Sequence, residues 1–218
     1  MPDDIIVACV CVGDRYSPEY VHRLRDGVRR HLDRPHRFLC LSDTRSGYPF
    51  MCEPSARGEG WWAKMRLFKR PWRAGRKVLY LDLDTVIVGD LAPIVDLNVN
   101  FGIAYNFARE AGRSSWPCQF NSSVMLLGPD LDDSIWRRFH VKQSEFKVAY
   151  ERYGDQKAIE DLAPTATLLQ PLLPKGYMTG YRHIAGTTAP PANCSIVVFG
   201  GNHKPDNCPL GWVKDHWR

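Results

Sequence analysis

The 218-residue chain is 44% hydrophobic and 24% charged with a formal net charge of +5, the balance of a globular protein with a buried core and not of a disordered or fibrous one. It has no apolar run near the roughly 18 to 20 residues that a membrane span needs, and its acidic opening, Met1-Pro2-Asp3-Asp4, is unlike a secretory signal, so one domain spanning 1–218 and a cytoplasmic location are expected. Seven cysteines (Cys9, Cys11, Cys40, Cys52, Cys118, Cys194, Cys208) are odd in number and lack the paired spacing of zinc sites, which makes them buried thiols of a reducing compartment.

In chain order, Ile5 to Val12 is a short β-branched run without alternation, the pattern of a strand buried on both faces. Gly13-Asp14 ends it. Ser17-Pro18 then supplies an N-cap and a proline at the first helical position, and Tyr20, Val21, Leu24, Val28 and Leu32 recur at helical spacing. Phe38 to Leu41 is a second strand, and Trp61 to Arg70 reads as a helix stopped by Pro71. Val78 to Leu81 is another apolar strand, running into Asp82-Leu83-Asp84. Further strands are expected at Phe101–Tyr105, Ser123–Leu127, Leu168-Leu169 and Ile196–Phe199, with helix over most of Ile135–Tyr153. Strand and helix alternate, so the fold class is α/β with a mainly parallel sheet.

Chemistry concentrates at the end of the Val78 strand. Residues i and i+2 of a strand point the same way, so Asp82 and Asp84 can converge on one hard cation, Mn²⁺ or Mg²⁺, whose other positions diphosphate oxygens would fill. In open α/β sheets ligands gather at the carboxyl ends of strands, where this pair lies. Gly200-Gly201-Asn202-His203-Lys204 is the second feature: glycines admit a close ligand, Lys204 offers a point charge for phosphate, and His203 a ring nitrogen for a metal. Gly154-Asp155-Gln156 and Phe120-Asn121-Ser122-Ser123 read on their own as a helix cap and a polar loop. Two basic blocks, His22 to Arg37 and Lys64 to Lys77, favour anionic partners or are solvated helix faces.

Taken in order, these segments resemble the family 8 glycosyltransferases, the family of glycogenin and the bacterial lipopolysaccharide galactosyltransferases. The resemblance spans nearly the whole chain and implies a single GT-A domain, Rossmann-like, that transfers a hexose from a UDP-sugar with retained anomeric configuration. Val12-Gly13-Asp14-Arg15-Tyr16 resembles the nucleotide loop, Trp62 to Phe68 the helix with the basic residue Lys64, and Asp82-Leu83-Asp84 the metal motif. It implies donor contacts from Val10, Val12, Tyr16, Lys64, Leu83, Asn121, Ser122, Gly201 and Lys204, and places Asp155 and Gln156 beside the anomeric carbon. The family's closing motif carries a metal-binding histidine where Val198 stands here, so either His203 supplies that ligand or the metal relies on Asp82, Asp84 and water. The acceptor is expected to be a glycan or lipid-linked saccharide, or a modified nucleic acid. The basic block from Arg23 to Arg37 and the C-terminal Trp212 to Arg218 would dock a bilayer at the inner membrane face, or equally face a modified nucleic acid or solvent. Two other readings stay open: a nucleotidyltransferase, which would ordinarily show a glycine-rich loop that Val12 to Arg15 lacks, and a non-enzymatic binder of sugar nucleotides or nucleic acid.

Overall fold

The computed structural model describes residues 5–43, 51–54, 59–69, 73, 75–113 and 115–218, with 51–54 described by backbone alone. In chain order the elements are β1 (Ile5–Cys11), α1 (Pro18–His31), β2 (His36–Ser42), β3 (Met51–Pro54), a 3-10 helix (Gly60–Phe68), β4 (Lys77–Leu81), β5 (Thr85–Ile87) and α2 (Ala92–Val95). They continue as β6 (Phe101–Tyr105), α3 (Phe107–Glu110), β7 (Phe120–Leu127), α4 (Ser134–Val141), α5 (Gln143–Ala149), α6 (Gly154–Leu162) and β8 (Thr167–Leu168). β9 (Met178–Gly180), a 3-10 turn (Tyr181–His183), β10 (Ile196–Val198) and α7 (Gly211–His216) complete the series.

Seven strands form one sheet in the order β3-β2-β1-β4-β7-β6-β8. β1 runs parallel to β2 and β4, β2 to β3, and β6 to β8, whereas β7 is antiparallel to both its neighbours. The sheet is therefore mixed and mostly parallel. Alternate residues of the central strands feed opposite cores: Val7, Cys9, Leu79 and Leu81 join α1 on one side, Ile6, Ala8, Val78 and Tyr80 join the 3-10 helix, α4 and α6 on the other. This is why neither strand shows alternation in its sequence. Each fully buried aliphatic side chain contributes about 1.5–3 kcal/mol, so the sheet centre is a rigid platform for whatever follows Leu81.

Several expectations change in detail. The helix after Trp61 forms, but with three residues per turn; Trp62, Met65 and Phe68 then share one row against the second core. It ends at Phe68, while Arg70 and Pro71, where the stop was expected, lie outside the described residues. The Ile135–Tyr153 helix is broken at Lys142 into α4 and α5. Ser17 occupies the N-cap of α1 without a side-chain capping bond. Ile196–Val198 belongs to a separate three-stranded sheet, β5-β10-β9, beside the main one.

The basic blocks are largely structural. Arg73 is fully buried and donates to the carbonyls of Gly128, Leu131 and Asp132. Lys77 donates to the carbonyls of Val95 and Leu97 at 2.6 and 2.8 Å. Arg23 and Arg30 of α1 hold the C-terminal segment through the carbonyls of Trp217, His216 and Arg218. Trp212 and Trp217 are 7% and 5% exposed in the first core, so neither indole is presented to a bilayer. Among the described residues no helix is long and apolar enough to cross a membrane. The six described cysteine side chains are buried and none forms a disulfide; the side chain of Cys52 lies outside the described set.

Candidate active site

Asp82-Leu83-Asp84 bridges the two sheets. The Asp82 amide donates to the Ser123 carbonyl, continuing the β4–β7 pairing past Leu81, and the Thr85 amide returns to the Asp82 carbonyl to close a turn. The Phe199 amide, just after β10, donates to the Asp84 carbonyl at 3.0 Å. Leu83 points into the first core and is 2% exposed, so its backbone is what it can offer a ligand. The two carboxylates thus leave the strand at a seam fastened on both sides.

Asp82 faces the second core. Its Oδ1 accepts from the Tyr80 hydroxyl at 2.6 Å and pairs with the Lys64 ammonium at 2.9 Å. Lys64, its side chain 9% exposed, also donates to Ser122 Oγ at 3.2 Å and lies 3.4 Å from Asp155 Oδ2, which accepts from Ser122 at 2.6 Å. One ammonium therefore serves two carboxylates. Burial alone would raise Asp82, but the Lys64 charge and hydrogen bonds from Tyr80, Lys64 and Ser123 outweigh it and hold the carboxyl below its usual range. Burial dominates at Asp155, whose carboxyl is raised in spite of Lys64 and Ser122. Burial would lower Lys64; Asp155 and Asp82 reverse this and raise it.

Asp84 faces two loops instead. Its Oδ2 accepts from Tyr16 at 3.0 Å and from Lys204 at 2.5 Å, and Lys204 also reaches the Tyr16 hydroxyl at 2.8 Å. Burial, reinforced by the Asp82 charge, raises the Asp84 carboxyl against the pull of Lys204 and Tyr16. β4 ends at Leu81, so the turn, and not the alternation of a strand, brings both carboxylates to one cavity.

All of these groups line one cavity of about 970 Å³. Of the residues singled out from sequence, Val10, Val12, Tyr16, Lys64, Asp82, Leu83, Asp84, Asn121, Ser122, Asp155, Gln156, Gly201 and Lys204 all border it. Asp155 and Gln156 open α6 directly after Gly154, whose φ of +66° and contact with Trp61 suit glycine alone. Gly201 has φ +64°, and a Cβ there would meet Arg182 Nη2 at 2.9 Å.

His203 is the exception. It is exposed, does not border the cavity, and its ring lies 5.7 Å from that of Tyr181. The turn that aims Lys204 at Asp84 carries His203 away, so the proposed triad of Asp82, Asp84 and His203 does not assemble. Among the described residues no group of three or more His, Cys, Asp or Glu is placed to hold a metal. Two carboxylates on one cavity still match in kind a hard divalent ion, which is held by one or two carboxylates with phosphate oxygens and water completing its shell. Both hydrogen bonds to Asp84 fall on Oδ2, which leaves Oδ1 for such a role.

Sequence reasoning passed over Tyr80 and Ser123, the hydrogen-bond partners of Asp82. Tyr80 stands two residues before Asp82, so strand alternation alone puts it on the same face. It also passed over Tyr153 and the arginines 113, 152 and 182 at the cavity wall, which come from segments far apart in the chain.

No protein-family model matches the chain, and no curated protein matches it in sequence. Solved structures do match in fold. The galactosyltransferase LgtC, in complex with donor and acceptor sugar analogues, matches over 97% of this chain and 93% of its own, at 16% identity and a TM-score of 0.68. The glycosyltransferase GlyE of Streptococcus pneumoniae TIGR4 matches over 100% of this chain and 60% of its own, at 16% identity and TM-score 0.63. The bifunctional glycosyltransferase WbbM matches over 99% and 51%, at 11% identity and TM-score 0.56. The chain has the GT-A glycosyltransferase fold.

Proposed function

We propose that this protein is a metal-dependent retaining glycosyltransferase that moves a hexose from a UDP-sugar to an acceptor hydroxyl on a glycan or lipid-linked saccharide, with residues 1–218 acting as one domain and Mn²⁺ or Mg²⁺ as its cofactor. The observation that carries the reading is convergence: six segments separated in sequence, around Tyr16, Lys64, Asp82–Asp84, Asn121–Ser123, Asp155-Gln156 and Gly201–Lys204, border one cavity at the carboxyl end of β4. A shared fold alone would not require it.

The chemical task is to let a diphosphate depart as the glycosidic bond breaks. A divalent ion held by Asp82 and Asp84, when bound, would supply positive charge for the phosphate oxygens. Lys204 would turn from Asp84 to the diphosphate as the donor enters, adding a point charge where negative charge accumulates. Tyr16, released from Asp84 and Lys204, would present its ring to the base. Lys64, fixed between Asp82 and Asp155, would hold both carboxylates in place and reach the donor sugar with Asn121 and Ser122. Gln156, at the start of α6, would sit beside the anomeric carbon; its amide is a poor nucleophile, unlike the close carboxylate of retaining glycosidases. The acceptor oxygen would therefore attack from the face the diphosphate leaves. A new C–O bond forms, the old one breaks with its electron pair going to UDP, and the hydroxyl proton passes to the departing phosphate oxygen. Asp155 would orient sugar hydroxyls.

The test is to incubate the protein with UDP-glucose or UDP-galactose and Mn²⁺, with melting temperature and UDP release read in parallel. A donor that binds the folded state raises the melting temperature, and turnover releases UDP. Donor-dependent stabilisation without UDP release across a panel of acceptors would leave a binding module. Release unchanged in both Asp82→Asn and Asp84→Asn would remove the metal from the mechanism.

A further inference from the structure

The cavity carries more positive charge than the proposed donor can use. Six basic side chains, Arg15, Lys64, Arg113, Arg152, Arg182 and Lys204, line it against four acidic ones, Asp14, Asp82, Asp84 and Asp155. Lys64 and Lys204 are matched to the aspartates of the metal motif and to Asp155. A UDP-sugar brings two negative charges and a divalent ion cancels them, so a loaded donor site leaves the surplus of two intact. Of the four arginines, Arg15 stands over the Tyr16 ring at 5.7 Å and Arg182 against Gly201, both beside the donor groups. Arg152 stands by Tyr153, and the charge of Arg113 reaches His183.

The cavity wall that includes these two also carries an aromatic pair. The rings of Trp116 and Tyr153 meet edge to face at 5.3 Å, joining the segment after α3 to the one before α6. Arg152 adjoins Tyr153, its guanidinium 5.9 Å from that ring, and Arg113 precedes Trp116 by three residues. Arg109 fastens this segment by donating to the Trp116 carbonyl at 2.5 Å. Neither Arg113 nor Arg152 makes an ion pair with a described carboxylate, and Glu110, the acid whose charge reaches neighbouring His183, does not line the cavity. Tyr153 is also three residues before Gln156, the group read as lying beside the reacting carbon. A neutral sugar can be held by aromatic planes and neutral hydrogen-bond groups at such a wall; two guanidiniums without a carboxylate partner favour a ligand that carries an acid group.

Resting on the glycosyltransferase reading, we infer that the acceptor is an anionic saccharide, its sugar ring against Trp116 and Tyr153 and its acid group held by Arg113 and Arg152. A guanidinium binds the paired oxygens of a phosphate or carboxylate through two N–H groups at once, which fixes orientation as well as charge. The acid group is a phosphate monoester or a uronic carboxylate; both present that oxygen pair.

The test separates this site from the donor reading. Tryptophan fluorescence is titrated with glucose, glucose 6-phosphate and glucuronate, with no donor present. At least about 10-fold tighter binding of an anionic sugar than of glucose is expected, and the Arg113→Ala/Arg152→Ala variant should bind all three as it binds glucose. Preference for glucose 6-phosphate assigns the phosphate, preference for glucuronate the carboxylate. In the same variant the melting-temperature rise with UDP-glucose and Mn²⁺ should be unchanged. Equal affinity for all three sugars in the parent protein, or a preference that survives the double substitution, overturns the inference. UDP release decides the other question: none from any donor defeats the transferase reading while the titration still decides the site, and equal stimulation by glucose and the anionic sugars defeats the acceptor inference while the enzyme stands.

Discussion

Asp82 and Asp84 are two residues apart, line the same cavity and are each met by a lysine, yet their surroundings differ in kind. Asp82 is held by groups on regular elements: Tyr80 on β4, Lys64 on the 3-10 helix, Ser123 on β7, and through Lys64 to Ser122 and Asp155 at the start of α6. Asp84 is held by Tyr16 and Lys204, both on loops. A charge network on rigid elements keeps its geometry whether or not a ligand is present. A lysine on a glycine-rich loop can exchange one anion for another. On the proposed reaction, then, one half of the motif is scaffold and the other is the part that changes partners when donor arrives.

Removing each aspartate tests this division most severely. Asp82→Ala leaves the Lys64 ammonium, its side chain 9% exposed, with Asp155 as its remaining counter-ion. Stranding one member of a buried pair costs about 3–5 kcal/mol, and the remaining partner puts the expected loss near the lower end. Asp84→Ala releases Lys204, whose loop lets the ammonium reach water, and about 1 kcal/mol is expected there. Urea midpoints compare the two. Donor turnover should fall at least about 100-fold in both. Equal stability losses would erase the distinction between scaffold and exchangeable half.

Lys64→Met attacks the scaffold from the other side. Asp82 and Asp155 would face each other with no ammonium between them, a loss of about 3 kcal/mol near neutral pH. Adding Asp155→Asn should restore part of it, through a coupling of about 1–3 kcal/mol. The pH dependence has a definite sign. Asp155 is already raised by burial, and the loss of Lys64 raises it further. A carboxyl raised in the folded state favours folding below its ordinary value of 3.8 and loses that contribution as pH climbs through the folded value. The stability gap between Lys64→Met and the parent should therefore be narrowest near pH 4 and widen toward neutrality. A gap that shrinks as pH rises contradicts the assignment.

How much of this was legible beforehand follows from what each signal depends on. β1 and β4 were readable because burial on both faces leaves a continuous apolar run, and the carboxylates of Asp82 and Asp84 stand out where such a run ends. The reversed direction of β7 was not, since an apolar run reads the same either way along the sheet. Nor was the three-stranded sheet: its β10 was expected as a strand at Ile196–Phe199, but β5 and β9, at three residues each, are too short to show a period. By charge pattern Lys64 looked like one member of a basic face and by resemblance like a donor contact; only its place on a 3-10 helix set against two carboxylates shows why it is buried. His203 and Lys204 are adjacent, and nothing in their order says which of them the Gly200-Gly201 turn aims inward. The Trp116–Tyr153 contact joins residues 37 positions apart in sequence, beyond any local pattern.

The smallest expected effect on stability, and the sharpest on the comparison, belongs to Lys204→Ala. Its ammonium bonds Asp84 and Tyr16 on a segment whose turn depends on Gly201 at φ +64°. Taking it away leaves Asp84, its side chain 6% exposed, with the Tyr16 hydroxyl and the water of the cavity it lines; burial already raises this carboxyl, which eases its protonation, and a loss of no more than about 1 kcal/mol is expected. Folding should hardly register the change, while turnover should fall by about 100-fold if Lys204 moves to the departing diphosphate. Because the ammonium competes with a divalent ion for Asp84, Mn²⁺ alone, without nucleotide, should bind the variant more tightly than the parent by calorimetry, and Lys64→Met should show no such pattern of unchanged stability with altered metal affinity. Weaker Mn²⁺ binding in Lys204→Ala would mean that the lysine helps to build the metal site and does not stand in its place, and the two halves of the motif would then be scaffold alike.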